Sequence, residues 1–156
     1  LFSGGLDKTK TLDKLARNSL DPQIALSNGK PTVIEFYADW CEVCKEMAPI
    51  MFDINNDYRG QINMVFLNVD NPKWDDFVEE YEVNGIPQLN LFNGNGLLKG
   101  QSIGSKSKLQ IINLVDVLIE DQDLSGNKNL LDQGRNSSLD LTPVNQTDTA
   151  IYPMTH

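Results

Sequence analysis

Two cysteines stand in this chain, Cys41 and Cys44, and they are spaced C-x-x-C in Trp40-Cys41-Glu42-Val43-Cys44-Lys45. An apolar stretch, Thr32-Val33-Ile34-Glu35-Phe36-Tyr37, leads directly into them. A thiol pair at the start of a helix that follows a strand suits dithiol–disulfide exchange. One sulfur attacks a disulfide and its neighbour resolves the product. Metal binding is the competing use of such a pair. A structural zinc site needs about four ligands, and the chain offers one histidine, His156, at its far end. The missing second ligand pair and the preceding strand favour redox use, with no metal and no cofactor required.

The elements that must position this pair are legible along the chain. Asp21-Pro22 is a helix start, because Asp caps and Pro is tolerated in the first turn. Pro22 to Leu26 is then a helical turn closed by Ser27-Asn28-Gly29. Thr32 to Ala38 is predicted as a central strand, since its apolar run suits burial on both faces. Glu42 to Tyr58 reads as a helix with Val43, Met47, Ile50, Met51 and Ile54 inward and Pro49 inside it. Gln61 to Val69 is a second strand, and Trp74 to Tyr81 a short helix. Gln88 to Phe92 and Leu97 to Ile103 form a hairpin around Asn93-Gly94-Asn95-Gly96. Ser105 to Glu120 is an amphipathic helix, with Leu109, Ile112, Val115 and Ile119 expected on its apolar face.

A βαβ crossover followed by a hairpin and a covering helix predicts an α/β fold, a mixed four- to five-stranded sheet flanked by helices. Residues 1–20 read as a polar, helical extension with a rhythm at Leu12, Leu15 and Leu20. Residues 21–120 are the folded domain. Residues 121–156 are a polar tail, rich in Asn, Ser, Thr, Asp and Gln, that cannot bury enough apolar surface to fold alone. Leu130, Leu131, Leu139 and Leu141 are the tail residues expected to matter if it packs on the domain.

Composition bounds the partners. The formal net charge is −9, which argues against nucleic acid or an anionic membrane surface. No apolar run reaches the roughly 18–20 residues that span a bilayer. There is no complete signal peptide at the start.

Several spaced signals occur in order: Trp40-Cys41-x-x-Cys44-Lys45, Pro49, Asn68-Val69-Asp70, Gly85-Ile86-Pro87 and Gly104. Together they resemble the thioredoxin fold, from about Asp21 to Glu120. The resemblance implies that Cys41 attacks, its pKa lowered from about 8.5 toward 7 by the helix N-terminus. Cys44, one turn in and more buried, resolves the mixed disulfide. Trp40 shields the thiolate edge and offers partners a flat contact. Ile86-Pro87 matches the family's cis-proline bond, whose preceding residue pairs with an extended substrate strand. Glu35 stands where thioredoxins carry a buried acid that takes the proton of the resolving cysteine. Each has a plainer structural reading: Trp40 as a partly exposed core aromatic, Pro87 as a trans turn proline, Glu35 as a strand residue turned to solvent.

The chain departs from that pattern in three places. Glu replaces the family's Asp at Glu35. Phe66 replaces a lysine that often pairs with this acid. Glu42-Val43 replaces Gly-Pro between the cysteines, so Glu42 and Lys45 act on the thiolate in opposite senses.

The run Asp39 to Pro49, with Leu67-Asn68-Val69-Asp70-Asn71 and Trp74, is similar to the membrane-anchored thylakoid thioredoxin-like proteins of cyanobacteria and chloroplasts, the TxlA type. That resemblance implies a membrane tether upstream of Leu1 and a domain on the lumenal side. It implies a CcdA-type membrane thiol transporter as electron donor, and disulfide-containing targets that include apocytochromes in cytochrome biogenesis. The other readings are a cytosolic general thioredoxin, a disulfide oxidant, and a redox-inactive module that merely holds a peptide.

Overall fold

The computed structural model describes residues 7–123 and 152–153. Strand β1 (Thr32–Tyr37) lies at the centre and is buried along its whole length. Strand β2 (Asn63–Asn68) pairs with it in parallel, Thr32 opposite Asn63 and Tyr37 opposite Asn68. A parallel pair needs a long crossover, and α3 (Glu42–Asp57) supplies it. On the other side β4 (Gln88–Phe92) runs antiparallel, with Thr32 opposite Phe92 and Phe36 opposite Gln88. Strand β5 (Leu98–Ile103) closes the hairpin at the edge. The four-stranded sheet has the order β2-β1-β4-β5. The predicted mixed sheet is therefore observed, with each strand within two residues of its expected ends.

Two short helices precede the sheet. Helix α1 (Lys8–Asn18) is capped by Asp7, whose carboxylate accepts from the amides of Thr9 and Lys10. Helix α2 (Pro22–Ala25) is capped by Asp21, which accepts from the Gln23 amide at 2.9 Å. The leading helix does not stand apart from the domain. Leu12 and Leu15 are buried in the same core as β1 and α3, and α1 packs on α3 and β2. Burying a leucine contributes about 1.5–3 kcal/mol, so the rhythm at Leu12 and Leu15 marks a structural element of the fold.

The short helix expected from Trp74 to Tyr81 is observed within one residue of those ends, and a 3-10 turn leads into it. Pro72–Trp74 forms a 3-10 turn and α4 spans Asp75–Glu80. Two-residue strand β3 (Gly85–Ile86) follows, then β4. Helix α5 runs from Lys108 to Asp123. Its inward face is Ile111, Leu114, Val115 and Leu118, while Leu109 is 67% exposed. Of the four residues expected inward, Val115 is buried, and Ile112 and Ile119 are partly so. The helix carries two overlapping apolar stripes, and packing selects the one at Ile111. Leu130, Leu131, Leu139 and Leu141 lie outside the described residues. Tyr152–Pro153 forms β6, paired antiparallel with β3.

The β4–β5 turn is built on Asn93, whose side chain accepts from the amides of Asn95 and Leu97. Gly96 has φ +80°, and a Cβ placed there would meet the Leu26 carbonyl oxygen at 2.6 Å. That oxygen belongs to the backbone at the end of α2, so the clash is not relieved by a rotamer change. Gly96→Ala is expected to cost about 1–3 kcal/mol, measured as a lower urea midpoint. An unchanged midpoint would mean that the turn and α2 move apart freely.

Candidate active site

The chemistry sits where β1 hands over to α3. Cys41 is the N-cap of the helix, with extended backbone at φ −84° and ψ 108°. Its Sγ accepts from the Cys44 amide at 3.1 Å, one of the donors a helix start leaves without an intrahelical partner. The Cys41 carbonyl accepts from Lys45 at 3.1 Å, and the Cys41 amide donates to the Ala38 carbonyl at 3.2 Å. The loop is thus fixed on both sides of the sulfur. Cys41 and Cys44 are joined as a disulfide. Both are fully buried, so the expected greater burial of Cys44 is not present in this oxidised form. Bonding turns each sulfur onto the other and covers both.

The charges between and after the cysteines pair with each other. Lys45 Nζ donates to Glu42 Oε2 at 2.9 Å. An exposed pair of this kind is weak and screened, and it leaves little net charge beside the N-cap. The helix start adds a field that favours a thiolate at Cys41.

Trp40 lies on the rim and is 42% exposed. Its indole Nε1–H donates to Asp70 Oδ2 at 2.8 Å. Asp70 in turn is set by a turn in which its amide donates to Asn68 Oδ1 at 2.9 Å. The end of β2 thereby holds the ring beside the cysteine loop. Asp70 belongs to the Asn68-Val69-Asp70 signal, but sequence reading assigned it no role. Asp39 is held above the usual carboxylate range, first by burial and then by the charges of Asp13 and Asp70. Asp13 was hidden from sequence reading, because α1 brings it here from a segment read as an extension. An open cleft of about 530 Å³ lies next to this cluster, between α1 and the end of β2, lined by Asp13, Arg17, Tyr37, Asn68, Lys73 and Trp74 among others.

Glu35 is inside the protein, 1% exposed. It stands on β1 between Phe66 of β2 and Leu89 of β4. Neither carboxylate oxygen has a hydrogen-bond partner among the described residues. Desolvation alone pushes its pKa up to about 8, because an ionised carboxylate loses its hydration and gains no partner. The reading of Glu35 as a solvent-facing residue is thereby set aside. Phe66 is itself buried, which leaves an apolar neighbour where a cation would otherwise offset the charge.

The Ile86-Pro87 peptide bond is cis. The trans reading is set aside. The Pro87 carbonyl accepts from the Gly104 amide at 2.8 Å, which ties the loop to the end of β5. The antiparallel register places Phe36, near the end of β1, opposite Gln88, the first residue of β4 and the one after Pro87. The cis-proline loop and the cysteine loop thus leave the same end of the sheet.

A C-x-x-C pair at a helix N-cap, after the end of a central β-strand and at the same end of the sheet as a cis-proline, sits on a sheet of mixed order. The thioredoxin family pattern matches residues 12–117. The chain belongs to the thioredoxin family. It is a thioredoxin-like thiol–disulfide oxidoreductase with its Cys-x-x-Cys pair joined as a disulfide. The redox-inactive module is accordingly set aside. Among its relatives is the thioredoxin-like protein HCF164, chloroplastic, of Arabidopsis thaliana. The two are 42% identical over 113 residues, 72% of this chain and 43% of the relative. The thiol:disulfide interchange protein TxlA of Synechococcus elongatus is 39% identical over 114 residues, 73% of this chain and 60% of that protein. The chain therefore matches about half the length of these relatives. In shape it is similar to a mutant thioredoxin from Halobacterium salinarum NRC-1, with a TM-score of 0.54 and 22% identity, over 61% of this chain and 80% of that one. That likeness shows the fold alone. No described helix of this thioredoxin-like protein is long and apolar enough to cross a membrane.

Proposed function

We propose that this protein is a membrane-tethered disulfide reductase on the lumenal side of a thylakoid membrane. It takes reducing equivalents from a CcdA-type transporter and passes them to lumenal disulfide proteins, apocytochromes among them. The observation that carries the redox part is the Cys41 sulfur at the helix N-cap, accepting the Cys44 amide. The compartment, tether and partners are supported by the likeness to the chloroplast and TxlA proteins.

The steps balance as a two-electron exchange. In the reduced form the Cys41 thiolate attacks one sulfur of the target disulfide, and the other sulfur leaves as a thiolate. Cys44 then loses its proton and attacks Cys41 Sγ. The Cys41–Cys44 disulfide forms, the second target sulfur leaves, and the target gains two electrons. Glu35 is the proposed acceptor of the Cys44 proton. Trp40 offers the target a flat apolar contact, and Ile86, ahead of Pro87, offers a backbone edge to an extended target strand.

Two measurements test this reading. Turnover in dithiothreitol-driven insulin reduction is expected. The Cys41/Cys44 couple should titrate near the thioredoxin value of about −270 mV. A potential near −120 mV would make the protein an oxidant, and absent turnover would remove the reductase.

A further inference from the structure

Strand β3 is two residues long, Gly85–Ile86, and it ends at Pro87. Its partner is not a strand of the main sheet. It is β6, from the far end of the chain, with Gly85 opposite Pro153 and Ile86 opposite Tyr152. We propose that β6, Tyr152–Pro153, is an internal occupant of the strand edge offered to substrates, so that the chain competes with its own targets. The proposal rests on the reading of Ile86-Pro87 as the substrate edge.

Backbone chemistry fits this occupant to this edge. In an antiparallel ladder, opposite pairs alternate between hydrogen-bonded and non-bonded. Pro153 has no N–H to give. The non-bonded position therefore falls at Gly85–Pro153, and the bonded one at Ile86–Tyr152. Ile86 and Tyr152 then exchange both N–H and C=O bonds, which satisfies the two polar groups an unpaired edge leaves open. An extended target strand would use those same two groups of Ile86. Ile86 is completely buried, and Gly85 is buried with it. A target strand can reach that backbone only after β6 leaves.

The occupant is also inert. The chain's two cysteines are Cys41 and Cys44, so the β6 segment presents no disulfide for Cys41 to attack, and the sulfur of the following Met154 is a thioether, which does not exchange. It holds the edge without being turned over. Because it belongs to the same chain, its local concentration is fixed by the connecting residues and does not fall on dilution. For tethered partners this is on the order of mM. A bridge of two residue pairs is small, so the equilibrium is a partial and displaceable one. A target that pairs over a longer strand displaces it, while a target with a poor strand does not. The device would thus discriminate by extended backbone as well as by sulfur reactivity.

The test uses the full chain and Tyr152→Pro, which removes the N–H that the bonded pair needs. The Ile86 amide is read by hydrogen exchange, and reduction is followed with insulin and with hydroxyethyl disulfide, which has no peptide strand. Ile86 exchange should accelerate by about tenfold or less. KM for insulin should fall by about two- to tenfold, the factor by which occupancy of one-half to nine-tenths lowers apparent affinity. Values of kcat for insulin and the rate with hydroxyethyl disulfide should not change. A synthetic peptide of residues 148–156, added to the variant, should raise the insulin KM again. Equal Ile86 exchange in the two proteins would overturn the proposal. So would faster exchange with an unchanged or higher insulin KM, because the pairing would then lie away from the substrate path. Failure of both proteins to reduce either disulfide would instead overturn the redox reading, and Ile86 exchange would still report on the pairing.

Discussion

Cys41→Ser is expected to abolish disulfide reduction, to below about 1% of the wild-type rate, while Cys44→Ser accumulates a covalent complex with its target. The argument runs through the helix start. A free cysteine with a pKa near 8.5 is only a few per cent thiolate at neutral pH, whereas one near 7 is about half ionised. Cys41 is the N-cap sulfur and accepts the Cys44 amide at 3.1 Å, so the helix field acts on it directly. The Glu42–Lys45 pair largely cancels its own effect on that field. A serine oxygen at the same place stays protonated and cannot replace the thiolate as nucleophile. Cys44 lies one turn further in and has no role until the mixed disulfide exists. Removing it stops the reaction after the first bond change. The measurement is non-reducing electrophoresis of each variant with a disulfide substrate, beside insulin turnover. Complexes trapped by Cys41→Ser and not by Cys44→Ser would reverse the two roles.

Much of this site was legible in the sequence because its signals are local. The cysteine spacing, the preceding apolar run and the Gly85-Ile86-Pro87 turn each act within a few residues. Strand β1 was legible for a related reason. Strands buried on both faces must be apolar nearly throughout, and Thr32–Tyr37 is so apart from Thr32 and Glu35. The same rule, applied to Glu35, already implies a buried carboxyl. What remained hidden depends on distant packing. The apolar face of α5 could not be chosen between two stripes, because Ile111, Leu114 and Leu118 compete with Leu109, Ile112 and Ile119, both sets falling at helical spacings. Asp13 reaches the site only because Leu12 and Leu15 anchor α1 on the core. Nothing in the polar stretch ahead of Tyr152 announces a strand. Its pairing uses backbone groups, which every residue except proline carries in full.

Glu35→Gln is expected to separate two consequences of one buried carboxyl. The first concerns the fold. The folded pKa of about 8 lies above the ordinary value of 4.5, so the folded state holds its proton more tightly than the unfolded state. Stability from this group is fully present below about pH 4.5 and is lost progressively as pH rises through about 8. The loss is on the order of a few kcal/mol. Urea midpoints of the oxidised protein should therefore fall between those limits in wild type, and the fall should be smaller in Glu35→Gln. The second consequence concerns resolution. A carboxylate with a pKa near that of a thiol can take the Cys44 proton at little cost in driving force. At pH 7 most of Glu35 is protonated, so wild-type resolution should rise with pH through about 8. General-base help is typically ~10²–10⁴-fold, and a thiol, being more acidic than a hydroxyl, needs the lower end or less. Glu35→Gln should thus slow resolution by about 10–10²-fold near pH 8 and remove the inflection, since an amide keeps the shape but does not titrate and cannot act as the base. Resolution profiles that superimpose from about pH 6 to pH 9, with the stability difference intact, would leave Glu35 as a buried structural acid and send the Cys44 proton to water.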